Sequence, residues 1–131
     1  MLGGLDIFSS LSIGELEKIS IFCQEKLVAS WETLFSLWEE ANAMYIVKSW
    51  GLKVIDENKK KLGQVWVGEI LGEMVVFWGE EKRTASVVAI EDSALITILS
   101  FSIKELAENN HEIFVKIKDI IEERRWKNSG L

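Results

Sequence analysis

The sequence predicts a mainly β fold flanked by helices, and three observations carry that prediction. Between Lys26 and Leu99, short runs rich in β-branched and aromatic residues recur roughly every eight to twelve residues, the signature of a sandwich, barrel or jelly roll. The gaps between these runs are too short for crossover helices, so the strands are expected to be antiparallel. On either side, apolar residues recur at helical spacing behind Ser-x-x-Glu capping boxes.

Ser12-Ile13-Gly14-Glu15 opens the first helix, and Ile13, Leu16, Ile19, Phe22 and Cys23 fall on one of its faces. Glu15, Glu17, Lys18 and Glu25 form its solvated side. Strands are expected near 27–29, 33–37, 44–49, 52–56, 62–66, 85–89 and 94–99, with residues 57–61 as a polar hairpin tip. Ser102-Ile103-Lys104-Glu105 is a second capping box, and Asn109 with Glu112 caps a last helix. Ile113, Ile117, Ile120, Ile121 and Arg124 share a face of that helix, with Phe114 beside them. The tail after Lys127 is expected to fray. The reading is therefore one domain over residues 1–131: a helical segment at about 5–25, a β-roll at about 26–100 and C-terminal helices at about 102–127. Its core should include Leu16, Ile19, Ile46, Val54, Val87 and Ile98.

Composition narrows the function. Of 131 residues, 48% are apolar and 27% charged, which excludes a mainly disordered chain. Fifteen basic against 21 acidic residues leave a net charge of −6, unsuited to a nucleic-acid backbone. One cysteine, Cys23, and one histidine, His111, supply neither a disulfide, a metal cluster nor a triad. Cys23 reads as a buried small hydrophobe, and His111 as an exposed first-turn residue. An enzyme is not expected, nor is a metal or a cofactor. The apolar stretches are strand-sized, far short of the ~20 residues a bilayer needs. The N-terminus lacks the pattern of a secretory signal, so a cytoplasmic location and no membrane partner are expected.

The chemistry concentrates in residues 67–77 and 80–85. Gly72 would let a ligand approach the backbone closely, and amides after it would face an anion. Ten residues after Glu73 comes Arg83, whose guanidinium can grip a phosphate in two places. Thr84 adds a hydroxyl, and Glu73 offers an acceptor for a sugar hydroxyl. An acid beside an anion site suits a ligand carrying both a phosphate and a donor, such as a ribose phosphate.

These residues resemble the phosphate-binding cassette of the cyclic-nucleotide-binding domain family, found in the bacterial cAMP receptor protein, protein kinase A regulatory subunits and cyclic-nucleotide-gated channels. The family pattern is a Gly-Glu pair, a short helix, a loop, then Arg-Ser/Thr-Ala; here it reads Gly72-Glu73 and Arg83-Thr84-Ala85. The opening 7–12 with Glu15-Leu16, and 44–47 followed by Ser49 and 52–54, are similar to the family's N-terminal helix and central hairpin. The likeness covers about Leu5 to Lys127. It implies an antiparallel β jelly roll (double-stranded β-helix) with N- and C-terminal helices. It further implies that Glu73 binds the ribose 2′-hydroxyl and Arg83 the exocyclic phosphate oxygens, with Gly72, Met74, Thr84 and Ala85 completing the site. Val75, where the family prefers a small residue, and Lys82, where many members have proline, depart from the pattern.

The tryptophans depart further. Trp31, Trp38, Trp50 and Trp66 stand in turns where the family prefers glycine, and Trp78 adjoins Gly79 in the cassette loop. Where a turn requires φ > 0, a Cβ costs about 1–2 kcal/mol. Some bacterial lineages read UGA as glycine. A gene of such a lineage, translated with UGA as tryptophan, would show this pattern. Trp126 has no comparable turn context.

The expected function is a cyclic nucleotide sensor for cAMP or cGMP, regulatory and without its own output domain, that signals to an effector protein. Two alternatives are a degenerate jelly roll that serves as an interaction module and the sensor part of a transcription regulator. In that last class a helix-turn-helix follows the final helix. Here the sequence stops after it, so DNA binding by this chain is not expected. The wide apolar face of the last helix predicts a weak homodimer through it, strengthened by nucleotide.

Overall fold

The structure, a computed structural model, describes residues 8–49, 51–73, 77, 83 and 85–127, and the side chains of the last helix as far as Glu123. After α1 (Ile13–Ser20) come β1 (Cys23–Val28), β2 (Thr33–Phe35), β3 (Ala43–Ser49), β4 (Leu52–Ile55), β5 (Lys61–Val65), β6 (Ile70–Leu71), β7 (Ser86–Ala89) and β8 (Ser93–Leu99). Two helices follow, α2 (Ser100–Asn109) and α3 (His111–Lys127). The strands form two four-stranded sheets in the orders β1-β8-β3-β6 and β2-β7-β4-β5, and every pairing is antiparallel. This is the expected jelly roll with helices at both ends.

Two cores explain the texture of the sequence. Between the sheets lie Val28, Phe35, Ala43, Tyr45, Val47, Leu52, Val65, Leu71, Val87, Ala89 and Leu95. Between the first sheet and the helices lie Met44, Ile46, Ile96, Ile98, Ile103, Leu106, Ile113, Ile117 and Ile121, with Phe8, Leu11, Ile19 and Cys23. β3 therefore buries five successive residues, Ala43 to Val47. Alternate side chains enter opposite cores, as in any strand covered on both faces. Among the expected core residues, Ile19, Ile46, Val87 and Ile98 are buried, and Leu16 and Val54 pack partly buried at the margins.

Several boundaries move for local reasons. α1 has the expected capping box between Ser12 and Glu15 but ends at Ser20. Cys23 instead opens β1 opposite Ile98 and is buried there; burial pushes its thiol up to about 12. The second capping box does not cap. β8 runs directly into α2, whose cap position is Leu99 with no side-chain bond. Ser100 fixes the junction instead, its N–H and hydroxyl both donating to the Asn42 carbonyl at 2.8 and 3.1 Å. Asp56 leaves β4 to organise the hairpin tip, its carboxylate accepting from the Asn58 and Lys60 amides at 2.8 and 2.9 Å. The two-residue β6 is too short to show a period in sequence.

Two of the anomalous tryptophans occupy left-handed backbone: Trp31 at φ 68° and Trp38 at φ 70°, both largely exposed. Trp66 does not share that conformation among the described residues. Its ring lies against the α-carbon of Gly51, where an added Cβ would come within 2.6 Å of it. Trp50 and Trp78 lie outside the described residues, as does the side chain of Trp126.

Candidate functional site

The site is built where β2, β3 and β6 approach one another. Arg83 is 5% exposed, one of two buried polar or charged residues among those described. A surface ion pair is therefore not its role. Its backbone is clamped by the β2–β3 turn: the Arg83 amide donates to the Glu39 carbonyl at 2.9 Å, and the Trp38 amide donates to the Arg83 carbonyl at 3.0 Å. Its side chain runs inward. Nη2 donates to the Ala43 carbonyl at 2.9 Å. The guanidinium carbon sits 4.1 Å from the centre of the Phe35 ring and 5.8 Å from that of Tyr45. Nε and Nη1 have no hydrogen-bond partner among the described residues.

Gly72 lies directly beneath this group. It follows β6, which is held to β3 by the pairs Tyr45–Leu71 and Ile46–Ile70, and takes φ 75°. A Cβ there would overlap Nη1 of Arg83 and stand 3.0 Å from the Ala43 carbonyl. Glycine is thus required for both conformation and space. The sequence placed Gly72 for its backbone alone; its contact with the guanidinium is a structural addition.

The electrostatics are those of a desolvated cation. Burial lowers the Arg83 pKa, while Tyr45 and Glu39 nearby work in the opposite direction. For Tyr45, burial raises the pKa and the Arg83 charge partly offsets it. A buried guanidinium with unsatisfied donors carries a desolvation cost that an anion would relieve.

Glu73 is helical and half-buried immediately after Gly72, and Ala85 is half-buried just before β7. Gly72, Glu73, Arg83 and Ala85 are therefore described at or beside the site, whereas Met74 and Thr84 lie outside the described residues. Phe35 and Tyr45 were missed as site residues, because as strand aromatics they read only as core. Phe77 is helical too, and its ring stacks on Phe114 of α3 at 5.7 Å. His111 is exposed, as expected, with its ring 6.0 Å from that of Phe114. Among the described residues no group of three or more His, Cys, Asp or Glu side chains is placed to hold a metal, and no helix is long and apolar enough to cross a membrane.

Comparisons with known proteins agree with this geometry. The family model described as Cyclic nucleotide-binding domain matches residues 25–110. A protein of Rhodopseudomonas palustris bearing a potassium-channel name is 26% identical over the whole chain, which spans only 32% of that protein's length. The crystal structure of a cyclic nucleotide-binding domain from Methylobacillus flagellatus superimposes with a TM-score of 0.85 at 18% identity, covering 98% of this chain and 75% of that one. A structure from Geobacter metallireducens, named for cyclic nucleotide binding, gives 0.83 at 18% identity, covering 96% and 93%.

Proposed function

Because this chain belongs to the cyclic nucleotide-binding domain family, we propose that it is a regulatory sensor that binds cAMP or cGMP at the site around Arg83. The observation that carries this is the buried Arg83 guanidinium, whose Nε and Nη1 lack partners among the described residues. In this reading Arg83 takes the exocyclic phosphate oxygens and Glu73 the ribose 2′-hydroxyl. Gly72 leaves room for the Arg83 guanidinium, and Met74, Thr84 and Ala85 line the remainder. The degenerate-module alternative fits less well, since a jelly roll without a ligand has no reason to bury a cation with spare donors.

Calorimetry with cAMP and cGMP tests the proposal. Charge-assisted bonds to the phosphate are worth about 1.5–3 kcal/mol, so Arg83→Ala should weaken binding roughly 10- to 100-fold. Equal affinity in wild type and variant would place the ligand elsewhere. In Glu73→Gln a 2′-deoxy ligand should lose little further affinity.

The chain spans about a third of the potassium-channel-named relative, so the output it controls belongs to another segment or to an effector protein. Weak self-association through α3, strengthened by nucleotide, would use what the packing of α3 on its own chain leaves free. Ile113, Ile117 and Ile121 are 6%, 1% and 0% exposed within one chain, and Ile120 and Phe114 pack partly buried on the same core. Most of the face that looks wide in sequence packs on the chain itself, and Phe114 of α3 stacks on Phe77.

A further inference from the structure

We propose that Phe35 and Tyr45 form an aromatic shelf that positions the Arg83 guanidinium for an anion; the inference rests on the functional reading above for the identity of that anion. The two rings come from opposite sheets. Phe35 ends β2 in register with Val87, and Tyr45 sits in β3 between Leu71 and Thr97. They stack with centroids 6.1 Å apart and planes 24° apart, bridging the interior between the sheets. The guanidinium lies 4.1 Å from the Phe35 centroid.

A delocalised, weakly hydrated guanidinium is suited to this, because stacking engages its face and leaves its in-plane N–H groups available. The Ala43 carbonyl occupies Nη2; among the described residues the other two nitrogens have no hydrogen-bond partner and would serve a ligand. Glu39 and the Tyr45 hydroxyl also favour the charged form of this buried cation, and the Phe35 π-face adds support without competing for the donors. An aliphatic residue at position 35 would keep the site apolar but remove the ring face, and leave the guanidinium free to turn. Phe35 and Tyr45 are thus positioning residues: they act on the ligand through Arg83.

The test compares wild type, Phe35→Leu and Phe35→Tyr by two measurements. In NMR spectra of the unliganded protein, the Arg83 guanidinium protons should lie upfield of those of the same protein unfolded in denaturant, shifted by the ring current. That shift should fall sharply in Phe35→Leu, where only the more distant Tyr45 ring is left, and persist in Phe35→Tyr. In calorimetry with cAMP and cGMP, Phe35→Leu should bind about tenfold more weakly, and Phe35→Tyr should restore binding. An unshifted Arg83 in wild type overturns the shelf, even should Phe35→Leu fail to fold. Unchanged affinity in a folded Phe35→Leu also overturns it. A wild type that shows the shift yet binds neither nucleotide overturns the functional reading while leaving the shelf in place.

Discussion

Gly72 and Trp38 lie on two sides of Arg83 in nearly the same left-handed backbone, at φ 75° and 70°. One is glycine and the other carries the largest side chain available. The difference between them is space. At Gly72 a Cβ would meet both the Arg83 guanidinium and the Ala43 carbonyl. At Trp38 the side chain is 66% exposed, so only the backbone conformation is at issue. Trp31, at φ 68° and equally exposed, repeats the second case. The fold thus demands left-handed turns at several points; at Gly72, where the site is built, a Cβ is also excluded by its neighbours, whereas at the left-handed Gly68 nothing lies within 4 Å of one.

The largest effect is expected at Gly72. Gly72→Ala combines the left-handed penalty of about 1–2 kcal/mol with displacement of Arg83 or of the β3 backbone. Thermal unfolding should show a clear loss of stability, and calorimetry a loss of nucleotide affinity of tenfold or more. A variant that binds normally would mean that the guanidinium has room to retreat, and that Gly72 serves the backbone only.

Trp38→Gly should act in the opposite direction and more weakly. Relief of the left-handed strain, about 1–2 kcal/mol, is partly offset by the extra freedom of the unfolded chain, about 0.4–1 kcal/mol. A rise of a few degrees in Tm is expected. Nucleotide affinity should hold, because the Trp38 and Glu39 backbone groups that clamp Arg83 remain. A fall in affinity would show that the indole itself supports the turn. Trp31→Gly should stabilise less, since it also removes the stacking of the Lys53 ammonium on the indole at 4.9 Å, worth about 0.5–1 kcal/mol at an exposed site.

What was legible in the sequence follows the same division between local pattern and spatial approach. The jelly roll could be read because β3 and β8 carry continuous apolar runs bounded by turns, and α1 because Ser12 and Glu15 cap each other. Arg83 stood out because its spacing from Gly72-Glu73 follows a known pattern. Phe35 and Tyr45 did not stand out, because their meeting depends on two sheets closing on each other. Ser102 misled because a capping box is a local signal, and the junction at Ser100 is set by Asn42 from a distant loop. The α3 isoleucines were legible as an apolar face, and most of that face packs on the chain's own core.

The smallest effect is expected at Trp66, and its sign decides what the other tryptophans mean. Trp66 is not left-handed, so Trp66→Gly relieves no strain. It removes a half-exposed ring from Gly51 and loosens the unfolded chain, and should cost about 0.5–1 kcal/mol. If backbone conformation is the cause, Tm should rise for Trp38→Gly and Trp31→Gly and fall slightly for Trp66→Gly. A rise at all three would point instead to a general penalty for exposed indoles, and the comparison with Gly72 would fail. The codons give an independent reading of the same question. UGA at positions 31 and 38 is the expected outcome, with glycine as the residue inserted in the source cell and the left-handed turns then unstrained, as at Gly72. UGG at both positions would make the strain a property of the native protein, and the gain in Tm from Trp38→Gly would then measure what that protein gives up to keep tryptophan in the turn that clamps Arg83.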